Sequence, residues 1–100
     1  MVKHIVMWKL HEFADGRSKS ENAQLMKQWL EQLIATIPDL EYLEVGINFN
    51  LDVDAYDVVL YSEFKDQQAL ERYQNHPDHI RFKQKIEKLR SDKKVVDYEV

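Results

Sequence analysis

The nine residues Val2–Leu10 carry apolar side chains at even and odd positions alike, and few small folds accommodate that. Successive residues of a strand point to opposite faces. Val2, His4, Val6, Trp8 and Leu10 would share one face, while Ile5 and Met7 would occupy the other. Tyr56–Phe64 repeats the feature, with Val58, Val59, Leu60 and Tyr61 in succession. Strands of this kind belong to a sheet covered on both sides.

The rest of the chain supplies one cover. Ser18-Lys19-Ser20-Glu21 has the spacing of a capping box, in which a serine oxygen and a glutamate satisfy amides left free at a helix start. Ala23, Met26, Leu30, Leu33 and Ile37 follow at helical steps, widened by Trp29 and Ile34, until Pro38 ends the run. Before this helix, Asp15-Gly16 marks a turn. Tyr42–Asn50 alternates as a second strand, with Leu43, Val45, Ile47 and Phe49 on one side, and Tyr56–Phe64 is the third. Asp66 caps a short helix carrying Ala69, Leu70 and Tyr73. His76-Pro77-Asp78 opens another, on which His79, Phe82, Ile86 and Leu89 share a face, and Lys94–Val100 reads as the last strand.

The order β-α-β-β-α(α)-β predicts an α+β, ferredoxin-like domain spanning residues 1–100, with a four-stranded antiparallel sheet and helices on one face. Ile5, Met7, Val59 and Tyr61 would then form a bare apolar patch on the other. A second copy of the sheet is the simplest cover, so a homodimer is expected.

Composition narrows the partners. A net charge of −4 leaves no broad basic footprint for nucleic acid, and the Lys83–Lys94 cations, interrupted by Glu87 and Asp92, read as a solvated helix face. The absence of cysteine excludes disulfides, thiolate catalysis and Cys-based zinc sites, and fits a reducing, cytoplasmic setting. Met1–Leu10 is too short and polar for a signal peptide, and no run approaches the roughly 18 apolar residues of a membrane span. Asp52 and Asp54 alone do not make a calcium loop.

Taken in order, Val2-Lys3-His4-Ile5-Val6, Val45-Gly46, Tyr56-Asp57-Val58-Val59-Leu60, Phe64-Lys65-Asp66, Tyr73 and His76-Pro77-Asp78-His79 resemble the stress-responsive A/B-barrel, or Dabb, family. The resemblance covers essentially the whole chain and implies a dimeric α+β barrel, in a family most of whose members have no assigned reaction. In its polyketide-cyclase branch, a histidine matching His79 acts with a tyrosine matching Tyr73 in an aldol-type closure, helped by a third-strand histidine. Here that position holds Val58, a departure from the pattern.

If the even face of the first strand meets the helices, His4, Tyr73 and His79 converge in one pocket, with His76, at the start of the last helix, among its lining residues. Val6, Trp8, Trp29, Val58, Leu60 and Phe82 would be its apolar walls. Histidine carries protons near neutral pH and a tyrosine hydroxyl can donate to a developing oxyanion. Metal binding is not expected, since His76 and His79 stand three apart and no carboxylate clearly joins them. Three functions follow. The first is a stress-associated dimer binding a small apolar or aromatic ligand. The second is a cofactor-free cyclase-like lyase or monooxygenase using His79, Tyr73 and His4. The third is a structural module in which the histidines only pack.

Overall fold

The computed structural model describes residues 1–100. The elements are β1 (Val2–Leu10), β2 (Phe13–Ala14), β3 (Arg17–Ser18), α1 (Lys19–Thr36), β4 (Tyr42–Ile47), β5 (Val58–Phe64), α2 (Gln67–Asn75), α3 (Pro77–Ile86) and β6 (Arg90–Glu99). Four strands make one antiparallel sheet in the order β4-β5-β1-β6, the ferredoxin-like topology. No helix is long and apolar enough to cross a membrane.

The turn and caps form as their residues dictate. Asp15 and Gly16 take φ of 55° and 76°, the left-handed pair that closes a two-residue hairpin between β2 and β3. Ser18 Oγ accepts from the Glu21 amide at 3.2 Å while the Glu21 carboxylate accepts from the Ser18 amide at 3.1 Å. Asp66 caps α2 by accepting from the Ala69 amide at 2.8 Å. Pro77 begins α3, where its missing amide costs nothing.

Register divides the sheet into two faces. Val6 stands opposite Leu60 and Val95, and Met7 opposite Val59 and Lys94. Val2, Val6, Trp8 and Leu10 of β1 and Val58, Leu60 and Phe64 of β5 are buried in one core with Met26, Leu30, Leu33, Tyr73, Phe82 and Ile86 of the helices. The opposite side carries Ile5 and Tyr61, partly exposed, with Met7, Val59, Val96 and Tyr98 exposed. Both helical connections therefore cover the same face. At the edge strand β6 that cover ends, for Val95 is paired with buried Val6 yet is 47% exposed.

Strand limits depart from the sequence reading in three places. β4 stops at Ile47, so Phe49, expected on its apolar side, is 95% exposed. Asparagine side chains capture the local backbone: Asn48 Oδ1 accepts from the Asn50 amide at 2.8 Å and Asn50 Oδ1 from the Asp52 amide at 2.9 Å, turns that compete with the ladder. β5 begins at Val58 rather than Tyr56. β6 begins at Arg90 rather than Lys94, with a register shift between Arg90 and Asp92, opposite Leu10 and Lys9. Its charged start suits an edge strand, and that polarity hides it from an apolar pattern.

Asn22 is fully buried on α1 and holds the β2–β3 hairpin down. Its Oδ1 accepts from Arg17 Nε at 2.8 Å and its Nδ2 donates to Ala14 O at 3.0 Å. Removing one partner strands the others, a loss of about 1–3 kcal/mol. Asn22→Ala should lower the urea-unfolding free energy by that amount, and a loss under about 0.5 kcal/mol would contradict this anchoring role.

Candidate functional site

Six elements, β1, α1, β5, α2, α3 and β6, converge on one hollow between sheet and helices. β1 brings His4, buried at 4% exposure between Ser62 of β5 and Asp97 of β6. Ser62 Oγ donates to the His4 carbonyl at 3.1 Å, and His4 Nδ1 is hydrogen-bonded to the Asp97 carboxylate. A carboxylate partner places a proton on Nδ1 and fixes the ring, as in carboxylate-oriented histidines generally.

α2 brings Tyr73, fully buried, its ring 4.9 Å from Phe64, 4.5 Å from His79 and 6.2 Å from His4 by centroids. Burial pushes its phenol well above the ordinary value, so the hydroxyl keeps its proton. α3 brings His79 and Phe82. The Gln74 carbonyl lies 3.2 Å from His79 Nδ1, which donates to it in the neutral ring and leaves Nε2 as an acceptor. Burial is the main cause that pushes the His79 pKa down to about 4, with Lys83, His4 and Lys93 adding to it against the Gln74 hydrogen bond. His79 is therefore a neutral imidazole near pH 7.

The hollow has a volume of about 330 Å³, within the range of ligand sites. His4, Val6, Trp8, Leu60, Tyr73, His79 and Phe82 line it. Three residues assigned to it from sequence lie elsewhere. Trp29 borders a separate cleft between α1 and α3, with Lys85 Nζ 5.1 Å from its ring. Val58 is packed in the core outside the hollow, so Leu60 is the residue that β5 contributes. His76 caps α3, its Nδ1 accepting from the Asp78 amide at 3.1 Å. That ties it to its own helix, and His4, His76 and His79 do not form one cluster.

Two polar atoms in the wall are buried without a hydrogen-bond partner, Trp8 Nε1 and the Tyr73 hydroxyl. An unpartnered buried donor costs about 1–3 kcal/mol, and both of these belong to side chains that border one hollow.

The site also contains groups that the sequence reading passed over. Lys93, expected on a solvated helix face, lies on β6 opposite Trp8 and lines the hollow half-buried. Burial, then Lys83 and Arg90, hold its ammonium below the ordinary lysine value. Asp97, the partner of His4, is two strand positions from Val95 on the same side. The alternation Lys93-Val95-Asp97 is the signal that could have found both, once β6 is begun at Arg90.

Residues 2–100 match the model of the Stress responsive A/B Barrel Domain, or Dabb. An uncharacterized protein of Streptomyces coelicolor is 34% identical over 80 residues, 79% of each chain. A crystal structure of a dimeric, ferredoxin-like protein of unknown function from Bacteroides fragilis superposes with a TM-score of 0.87 at 31% identity, covering 99% of this chain and 95% of that one. The hydroxynitrile lyase of Passiflora edulis shares the fold, with a TM-score of 0.82 at 14% identity over 99% of this chain and 92% of its own.

Two outcomes follow from the buried groups. Tyr73→Phe removes a hydroxyl that has no partner, so the unliganded protein should be as stable or more stable by up to about 1 kcal/mol in urea unfolding, and a clear loss would contradict its orphaned state. For His79, the unfolded ring with its ordinary value of 6.5 binds a proton before the folded one does at about 4. Its contribution to stability is complete above pH 6.5, falls away as pH drops toward 4, and is level below. Proton NMR should show the His79 ring unprotonated throughout pH 5–8, and a midpoint near 6.5 would contradict its burial.

Proposed function

Because the chain belongs to the Stress responsive A/B Barrel, or Dabb, family, we propose that it is a dimeric barrel protein that binds a small apolar or aromatic ligand, bearing a hydrogen-bond-accepting oxygen, between sheet and helices. The observation that carries this reading is the pair of buried, unpartnered donors, Trp8 Nε1–H and Tyr73 O–H, in the wall of a hollow of about 330 Å³. A carbonyl or phenolic oxygen would satisfy them, and Val6, Leu60 and Phe82 suit an apolar body. A purely structural module is less well supported, because it requires this space to be filled by side chains. A cytoplasmic role in a stress response belongs to the same proposal and rests on the family and the cysteine-free composition.

Dimerisation through the sheet is part of this reading. Ile5 faces Tyr61 and Val96 across the strands and Met7 faces Val59, which makes a continuous apolar surface on the side the helices leave bare. The Bacteroides fragilis relative is described as dimeric. Val59→Lys should convert the dimer to monomers in sedimentation at micromolar concentration, whereas a monomeric parent protein would contradict the assembly.

A second reading, cofactor-free acid–base catalysis, is favoured by the pairing of neutral His79 with protonated Tyr73, ring centroids 4.5 Å apart. His79 Nε2 would take a proton from carbon next to a carbonyl, and the Tyr73 and Trp8 donors would hydrogen-bond the enolate oxygen. In a ring closure the enolate carbon attacks a second carbonyl, and the imidazolium returns the proton to the resulting alkoxide. His4, held by Asp97, would orient the substrate. The Val58 departure leaves β5 without the histidine of the cyclase branch, so these two groups must suffice.

Binding and catalysis separate experimentally. An aryl ketone such as 2-acetonaphthone should raise the thermal midpoint in proportion to occupancy. The double variant Trp8→Phe, Tyr73→Phe should bind it about 30-fold more weakly, two hydrogen bonds of about 1 kcal/mol each. Unchanged affinity in that variant would remove the ligand-site assignment. If the protein turns over, His79→Ala should abolish the reaction while fold and dimer persist, and retained activity in both His79→Ala and Tyr73→Phe would rule these roles out.

A further inference from the structure

We propose that the β6 side of the hollow is an anion-recognition subsite, so that its ligand is an amphipathic organic acid with its anionic group among Lys83, Arg90 and Lys93 and its apolar body against Trp8, Phe82 and Ile86. This rests on the hollow being a ligand site, and it adds the chemical class that the site selects.

Two elements bring the cations together. Lys83 sits in the last turn of α3, and Arg90 and Lys93 lie on β6. Lys93 and Lys83 line the hollow with Trp8, Phe82 and Ile86. A second cleft, lined by Lys83, Ile86, Arg90 and Lys93, shares three of these residues, so the two spaces meet at the cations. The hollow therefore opens onto a positive rim.

No carboxylate neutralises that rim. Lys3, Lys19, Arg72 and Lys88 are each paired with an acid. Lys83, Arg90 and Lys93, like Lys9, Lys27, Lys65 and Lys85, have none within ion-pair distance, but only the first three are gathered at one opening. Two of the three acids nearby are engaged elsewhere. Asp97 is bound to His4, and Asp92 takes the Tyr56 hydroxyl and Lys94. Glu87 borders the second cleft without contacting any of the three cations. A chain of net charge −4 has thus gathered three cations against one acid, Glu87, at one opening.

Partial burial and, after it, the like charges of Lys83 and Arg90 work against an ammonium at Lys93, and its depressed pKa reflects this. A carboxylate, phenolate or sulfonate at the rim reverses both effects, because charge-assisted hydrogen bonds are strongest where water is partly excluded. The apolar wall behind rejects a small hydrated anion and selects one carrying rings or chain. Trp8 Nε1–H and the Tyr73 hydroxyl would then meet a second oxygen deeper in the ligand.

Calorimetric titration with 2-naphthoate and its neutral isostere 2-naphthamide tests the charge directly. The intact dimer should bind 2-naphthoate about tenfold more tightly, the size of one charge-assisted hydrogen bond, and the preference should shrink as salt is raised. Lys83→Gln with Lys93→Gln should abolish the preference while 2-naphthamide binds as before, and Lys85→Gln, outside the hollow, should leave it intact. Should the double variant fail to fold, Lys83→Gln at its exposed helical position should reduce the preference by itself. Equal affinity for the two compounds, or a preference that survives loss of the lysines, overturns the anion subsite and leaves the ligand cavity standing. Absence of binding by both compounds overturns the cavity reading along with it.

Discussion

The strand β1 is the constraint on which the rest of the structure depends. It is hydrogen-bonded on both sides, to β5 and to β6, so its side chains can only alternate above and below the sheet. Every even residue from Val2 to Leu10 is buried against the helices. The odd residues Ile5 and Met7 are left on the far side. A slip of one residue would exchange the two sets and place Lys3 and Lys9 in the core. The same alternation that buries Val6 and Trp8 sets His4 at the floor of the hollow. Core packing, the bare apolar face of the sheet and the candidate site are thus consequences of one register.

Against that background the polar interior is uneven in an informative way. Asn22 and Ser62 are fully buried and each is engaged with a backbone carbonyl. His4 has Asp97. These groups fix structure and ask for nothing further. Trp8 Nε1 and the Tyr73 hydroxyl are just as buried, and nothing in the chain meets them. Their neighbour His79 is held neutral by burial, and the cations of the β6 side stand without an ion-pair partner. A domain that satisfies its other buried polar groups and leaves these in the wall of one hollow has the character of a binding site, where unsatisfied groups are satisfied by what binds.

Much of this was legible in the sequence because it rests on local rules. The capping box at Ser18, the turn at Asp15-Gly16, the restart at His76-Pro77 and the burial of the even positions of β1 each follow from residues a few places apart. So did the convergence of His4, Tyr73 and His79, once the even face was turned toward the helices. What escaped depended on long-range pairing or on side-chain direction. The charged start of β6, Arg90–Lys93, hides its first four residues from an apolar pattern, and Lys93 with them. Trp29 widened the apolar stripe of α1 on paper, but its place on the helix turns it to the cleft beside α3. Val58 and Leu60 are both buried on the same side of β5, and sequence spacing could not say that only Leu60 reaches the hollow. Phe49 continued an alternation that the neighbouring asparagines interrupt.

The chain's two tryptophans permit a direct test of the central claim, that the hollow with its orphaned donors receives a ligand. Trp8 lines the hollow and Trp29 borders the separate cleft between α1 and α3. In a two-dimensional nitrogen–proton spectrum each gives one indole N–H resonance. Titration with 2-naphthoate should move the Trp8 resonance to lower field, as its proton gains an acceptor, and leave that of Trp29 in place. A Trp8 resonance that stays still while the compound binds would contradict the account.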